Sequence, residues 1–327
     1  MKPILADRDA IERAAYLLKQ GRLVAFPTET VYGLGADASN PDAVQGVFAA
    51  KGRPSDHPLI VHIAEAAAMK DWAAFVPEAA TRLAAHFWPG PLALVLKKKA
   101  WVPLAVTGGQ DTVALRMPNH PVALQLLQAF GGGIAAPSAN RFCRISPTQA
   151  AHVADELGGA VDMILDGGAC QVGVESTIVD LSGDRLRLLR PGQISRNAIE
   201  AVLQTGLLMP PTVGQSASRA PGMMAVHYAP VTTAMLCPSG QLVERLQNFI
   251  ADGKKIGLLA YHADITETPQ VRVIQMPEQA ADFAQALYAS LRELDQLRLD
   301  IILVEQPPGT EAWRAINDRL GKATVVW

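Results

Sequence analysis

The sequence predicts an α/β protein built as two unequal domains, and three observations carry that expectation. Its 327 residues are roughly twice what one hydrophobic core comfortably organises. Along most of the chain, segments with apolar residues at helical spacing alternate with short apolar runs typical of buried strands. Between Gly206 and Pro230 that patterning dissolves into GLLMPPTVGQSASRAPGMMAVHYAP, with prolines at 210, 211, 221 and 230. The expected division is a domain over 1–208 with a mixed sheet, a linker over 209–230 and a smaller open β/α domain over 231–327.

Ile11, Ala14, Ala15, Leu17 and Leu18 mark one face of a helix over Asp9–Lys19, and Gly21 is placed to end it in the left-handed conformation. A strand at Leu23–Phe26, a helix over Pro41–Lys51, a strand at Leu59–Ile63 and a helix over Glu78–Phe87 follow, then strands at Leu92–Leu96 and Thr112–Met117. A helix over Val122–Phe130, a strand at Ile134–Ala136, a helix beginning at Pro147, and paired strands at Ser176–Leu181 and Leu186–Leu189 complete the first domain. In the second, strands are expected at Thr232–Leu236, Ile256–Ala260, Val271–Gln275 and Ile301–Val304, with helices over Leu242–Ile250 and Phe283–Leu297.

Composition removes whole classes of function. With 49% hydrophobic and 18% charged residues the chain has the material for real cores and too little charge for disorder. Lys and Arg number 29 against 31 Asp and Glu, and the split at residue 208 is 19 against 19 before and 10 against 12 after. Neither half has the basic excess that a sequence-blind nucleic-acid binder needs. Three scattered cysteines, Cys143, Cys170 and Cys237, imply neither a disulfide framework nor a zinc site and fit a reducing cytoplasm. Charges at Asp7, Arg8, Asp9, Glu12 and Arg13 argue against a secretory signal. Prolines and glycines interrupt the longest uncharged stretch, Met117–Asn140, so no membrane span is expected.

Ligand sites in α/β sheets lie beyond strand ends, which directs attention to polar clusters there. Lys51, Arg53, Arg116 and Arg190 all fall at such places. Each alone reads as a solvated charge, whereas together they read as a polyphosphate or carboxylate pocket assembled from separate segments. Period two puts Thr112, Ala114 and Arg116 on one strand face. Ser146-Pro147 reads as an N-cap followed by proline at the first helical position, a helix end suited to an anion. Gly33-Leu34-Gly35 follows a polar loop and does not open a helix, which argues against a dinucleotide fingerprint, and no Walker loop or HExxH is present. His86, His120, His152 and His262 read as surface or boundary residues.

Seven segments, taken in order, resemble one family. They are PTETVYGLG at 27–35, KGRP at 51–54 with PLIVH at 58–62, DTVALRMP at 111–118, APSAN at 136–140 with ISPT at 145–148, VGVESTIVD at 172–180, LLRPG at 188–192 and APGMMAVHYAP at 220–230. They are similar to the threonylcarbamoyl-AMP synthases with a YrdC-like catalytic domain, in the long form with an extra C-terminal domain. The resemblance implies a YrdC-like mixed open twisted sheet over 1–208, a linker closing over the active site and a Rossmann-like β/α domain at the end. It implies a nucleotidyltransferase that condenses L-threonine, bicarbonate or CO2 and ATP into threonylcarbamoyl-AMP and pyrophosphate. Downstream tRNA threonylcarbamoyl transferase proteins then modify adenosine beside the anticodon.

The family's characteristic Lys, Arg, Asn and Ser correspond to Lys51, Arg53, Asn140 and Ser146. By the same likeness ATP falls near Arg53, His57, Thr112, Ser138, Ser146, Arg190 and Tyr228, and threonine near Thr30, His62, Arg116 and Ser176. Mg2+ is expected on the polyphosphate, with no metal ligand from protein side chains. Cys143 stands where related sequences often carry glycine. The chemistry needs no protein nucleophile, only positioning and charge stabilisation. Two other readings stay open to the residues: a module binding double-stranded RNA or tRNA, and a carbamoyl-transfer domain of the same fold. Charge balance opposes the first, and the lack of acylphosphatase-like or zinc-finger segments opposes the second.

Overall fold

The computed structural model describes residues 1–209, 221 and 227–325. Most of the linker expectation, at 210–220 and 222–226, lies outside the described residues. Two compact units emerge. One comprises Met1–Phe142, Pro147–Gln171 and the described residues of Glu175–Met224. The other comprises Cys143–Ser146, Val172–Val174 and the described residues of Ala225–Trp327.

The first unit is built on a ten-stranded mixed sheet. Its strands are β1 (Ile4–Leu5), β2 (Val24–Phe26), β3 (Gly33–Asp37), β4 (Ile60–His62), β5 (Leu92–Lys97), β6 (Thr112–Arg116), β7 (Ile134–Ala135), β8 (Met163–Asp166), β9 (Thr177–Asp180) and β10 (Arg187–Arg190). They lie in the order β1-β8-β2-β3-β7-β4-β6-β5-β9-β10. The longer helices are α1 (Arg8–Lys19), α2 (Pro41–Lys51), α4 (Glu78–Phe87), α6 (Pro121–Phe130), α7 (Ala150–Leu157) and α8 (Arg196–Leu203), with one-turn α3 (Met69–Trp72) and α5 (Leu104–Thr107) between them.

Local chemistry accounts for the main helix ends. Asp7 caps α1 by accepting from the Ala10 N–H at 2.8 Å. Asn40 caps α2 ahead of Pro41, and Gly52 ends that helix at φ 61°. His120 caps α6, its Nδ1 accepting from Val122 N–H at 3.2 Å.

Strand alternation sorts side chains to the two faces of the sheet. Ala25, Leu34, Val61, Leu94 and Leu115 enter one large core, which helices α2, α4, α7 and α8 also supply. On the opposite face Val24, Phe26, Ile134 and Met163 pack beneath α1 and α6. Farther along that face, Ile60, Ala93, Val95, Ala114, Ile178 and Leu189 form a patch made of strand residues alone. His62 shares the face of Ile60, and Arg116 that of Ala114, so polar groups at strand ends meet a region that holds no helix residue.

The second unit has a four-stranded, all-parallel sheet of β11 (Ala234–Cys237), β12 (Ile256–Ala260), β13 (Val271–Gln275) and β14 (Ile301–Glu305), ordered β11-β14-β12-β13. Helices α9 (Ser239–Ala251), α10 (Ala280–Gln296) and α11 (Arg314–Ala323) accompany it. The expected α/β class with a large mixed sheet and a smaller β/α sheet holds.

Two expectations need correction, and one strand was not foreseen. The helix placed at Pro147 begins at Ala150 after Gln149, whose side chain makes no capping bond. The chain stays extended before it, because the Pro147 carbonyl accepts from Tyr32 N–H at 2.8 Å and the Thr148 carbonyl from Cys170 N–H at 2.9 Å. Ser146-Pro147 is therefore not a helix start, and Ser146 is a fully buried residue of the segment Cys143–Ser146. His120 is buried, as befits a cap wedged under the chain, and is no surface residue. Finally, Gly33-Leu34-Gly35 opens strand β3, where the alternation is hidden by glycine. A Cβ on Gly35 would stand 2.8 Å from the Phe26 ring and 2.9 Å from Ile134.

Candidate active site

The loop between β2 and β3 is folded on itself by Thr28. Its Oγ1 donates to the Val31 carbonyl at 2.6 Å, accepts from the N–H groups of Thr30 and Val31 at 3.2 Å, and lies 2.8 Å from Thr30 Oγ1. Thr28, Glu29 and Thr30 are all buried. The segment Pro137–Asn140 is zipped along the following residues, with Leu34 N–H donating to Pro137 O and Ala139 N–H to Tyr32 O, each at 2.8 Å.

Three of the expected residues meet on that segment. Lys51, the last residue of α2, is 3% exposed and its Nζ donates to the carbonyls of Ser138 and Asn140, both at 2.5 Å. Phe142 N–H returns to the Lys51 carbonyl at 2.8 Å. Arg53, also buried, donates from Nη2 to Pro58 O at 3.1 Å. His57 packs its ring against Phe142 at 5.6 Å, and partial burial reinforced by the Arg53 charge holds its pKa below the ordinary histidine value.

A second group forms where β4 and β6 run parallel with His62 opposite Arg116. Arg116 Nη2 stands 2.8 Å from Glu29 Oε1, with both side chains about 5% exposed or less. The pair is within ion-pair distance, yet its N–H groups are not aimed at the carboxylate. Both Glu29 oxygens, Arg116 Nε and Nη2, and His62 Nδ1 have no hydrogen-bond partner among the described residues. Burial, helped by the Arg116 charge, pushes the His62 pKa down to about 3, so its imidazole is neutral at pH 7. Cys170 lies beside this group, its thiol pKa pushed up by burial and then by the Glu29 charge.

A third group joins β9 and β10. Arg190 Nε donates to Ser176 O at 3.0 Å, Nη2 to Ser176 Oγ at 3.1 Å and Nη1 to Pro221 O at 3.2 Å. A Cβ on Gly192 would stand 2.3 Å from Thr177 N, so only glycine lets this turn close.

Structure thus joins Lys51 with Ser138 and Asn140, His62 with Arg116, and Ser176 with Arg190, the last pair crossing the expected ATP and threonine sets. Thr112 sits four residues from Arg116 at the other end of β6, about 13 Å away along the strand. Ser146 and Tyr228 belong to the second unit. There Tyr228, at φ 63°, is buried against Tyr288 at 5.9 Å with the Arg319 guanidinium 5.3 Å from its ring. The four cations read singly as solvated are all buried. Sequence reasoning passed over Glu29, although it stands in the quoted PTET motif. A charge flanked by threonines in a loop reads as solvated until its burial is seen. A groove of about 740 Å3 lined by Trp72, Trp101 and Gly131–Gly133 holds none of these residues.

Buried cations at the end of helix α2 and at the ends of strands β6 and β10 define an α/β protein equipped to hold anionic groups. A family model described as "Telomere recombination" (Sua5, YciO and YrdC) matches residues 16–192, and one described as "Threonylcarbamoyl-AMP synthase, C-terminal domain" matches residues 194–325. The threonylcarbamoyl-AMP synthase of Pyrococcus abyssi is 41% identical, covering 99% of this chain and 98% of that one. The one of Bacillus subtilis is 43% identical over 96% and 92%. The crystal structure of Pyrococcus abyssi Sua5 complexed with L-threonine superposes with a TM-score of 0.89 at 40% identity, covering 97% of this chain and 96% of that one. The chain belongs to the threonylcarbamoyl-AMP synthase family, in the form with the additional C-terminal domain. No helix among the described residues is long and apolar enough to cross a membrane.

Proposed function

We propose that this chain makes threonylcarbamoyl-AMP from L-threonine, bicarbonate or CO2 and ATP, releasing pyrophosphate. The observation that carries the reading is Arg116: a buried guanidinium at a strand end, beside a neutral histidine, with two nitrogens lacking hydrogen-bond partners among the described residues. Such a group suits the carboxylate of an amino acid. The threonine α-ammonium gives one proton to solvent, and the amine so formed bonds to the carbon of CO2 as one C–O π pair moves onto oxygen and a second proton leaves to solvent. A carbamate oxygen then bonds to the α-phosphorus as the bond from that phosphorus to the β-phosphate oxygen breaks.

In this reading His62, Thr30 and Ser176 complete the threonine side. Lys51, Arg53, Ser138, Asn140 and Arg190 supply charge and hydrogen bonds to the phosphates and to the negative charge that moves onto pyrophosphate. The assignments of His57, Thr112, Ser146 and Tyr228 to ATP rest on the family resemblance. The groups assigned to ATP are cationic, hydroxyl, amide and imidazole, with no carboxylate among them. Mg2+ fits this set as a companion of the polyphosphate, where it would neutralise phosphate charge.

The product's acyl phosphate anhydride is labile, so its natural partners are transferases that pass the threonylcarbamoyl group to tRNA adenosine. Pyrophosphate release measured with ATP, Mg2+, bicarbonate and threonine, each omitted in turn, tests the reading. Release is expected only from the complete mixture, and release that ignores threonine would refute it.

A further inference from the structure

We propose that Glu29 and Arg116 act as a clamp for a zwitterion, Arg116 taking the carboxylate of the amino-acid substrate and Glu29 its α-ammonium group. The inference rests on the proposed function in placing threonine at Arg116, and it adds the residue that holds the reacting nitrogen. Opposite charges buried this deeply are ordinarily joined by aligned hydrogen bonds, because each loses its hydration. Here Glu29 Oε1 and Oε2 and Arg116 Nε and Nη2 are without hydrogen-bond partners among the described residues, although the charges are only 2.8 Å apart. The pair therefore offers two acceptors and two donors side by side.

An α-amino acid presents the complementary pattern, its ammonium nitrogen and carboxylate oxygens about 3 Å apart across three bonds. It is also neutral overall, like the pair, so its entry leaves no buried net charge behind. Burial disfavours the charged form of both histidines that act on the pair. His62 stays uncharged, and His120, which faces Glu29 electrostatically, has its pKa lowered by burial against the opposing pull of Glu29. The backbone positions both members firmly. Thr28 locks the Glu29 loop with three hydrogen bonds, and Arg116 is fixed by pairing of β6 with β4 and β5.

Calorimetry on the full chain tests the clamp with two ligands, L-threonine and 3-hydroxybutanoate, which keeps the carboxylate and hydroxyl and lacks the ammonium. Wild-type protein is expected to favour threonine by at least about tenfold. Glu29→Gln should weaken threonine by about ten- to hundredfold and leave 3-hydroxybutanoate within about threefold, with ATP affinity unchanged as the check on folding. If the variant weakens both ligands alike, Glu29 only orients Arg116 and the clamp is overturned. Equal wild-type affinity for the two ligands overturns it as well, and that comparison needs no variant to fold. A wild-type protein that binds ATP and no threonine would refute the proposed function itself, a result distinct from either of these.

Discussion

Glu29 in the first unit and Glu305 in the second are both nearly excluded from solvent, at 3% and 2% exposure, yet they are satisfied in opposite ways. Glu305 Oε2 accepts from the N–H groups of Tyr261, His262 and Ala263 at 2.7, 3.0 and 3.0 Å. Burial raises its pKa, but those three bonds and one from Ser239 outweigh it and hold the carboxyl below its ordinary value. Glu29 has only the nearby charge of Arg116 and no hydrogen bond among the described residues. A buried charge with all its bonds made holds the loop after β12 together. One whose bonds are left open, beside a buried cation at a strand end, is set up for something that arrives from outside.

The largest expected effect breaks the structural member of this comparison. Glu305→Ala leaves three N–H groups, one buried and two part-buried, without their acceptor and should cost about 3–5 kcal/mol of stability in denaturant titrations, since each orphaned donor costs about 1–3 kcal/mol and the part-buried ones recover water. Threonine affinity measured at a temperature where the variant is folded should be unchanged. On the other side, Arg116→Ala should cost roughly 1.5–3 kcal/mol of threonine binding and leave ATP binding intact, as calorimetry with each ligand would show.

A pH series sharpens the electrostatic part. His62 is held neutral in the folded protein down to about pH 3 but takes a proton near pH 6.5 when unfolded. Its contribution is complete above pH 6.5 and is lost as pH falls toward 3, because the unfolded chain binds the extra proton in that interval. His62→Gln should remove about 2 kcal/mol of the stability difference between pH 7 and pH 5. An unchanged slope in denaturation at the two pH values would contradict a buried neutral imidazole. Smallest is Cys143, which sits at φ 62° where L side chains are strained. Cys143→Gly should raise stability by about 0.5 kcal/mol, visible as a small upward shift of the thermal midpoint.

How far the sequence was legible follows the same physics. Helices Pro41–Lys51 and Glu78–Phe87 and strands Ile256–Ala260 and Val271–Gln275 are found at the expected bounds, because apolar spacing and end signals agree there. Strand β3 was hidden since glycines fit beneath Phe26, and β1 is two exposed residues whose place is set by pairing with β8. Pro147 misled because its first-turn preference yields to long-range bonds from Tyr32 and Cys170. Of the site, Lys51, Arg53, Arg116 and Arg190 stood out as cations at strand ends or loop starts. Glu29 did not, since only tertiary burial distinguishes it from a loop carboxylate, and the meeting of Ser176 with Arg190 depends on a bulged pairing of β9 with β10.

The central claim is that the Glu29–Arg116 pair is kept for the substrate and not for the fold. Replacing both by apolar residues, Glu29→Leu with Arg116→Met, and measuring unfolding free energy with and without threonine tests it most directly. Exchange of a poorly bonded buried pair for packed side chains should leave stability unchanged or raise it by about 1–4 kcal/mol. Threonine at a hundred times its dissociation constant should add about 2.7 kcal/mol to the wild type and nothing to the double variant. A double variant several kcal/mol less stable than wild type, or one that still gains stability from threonine, would contradict the account.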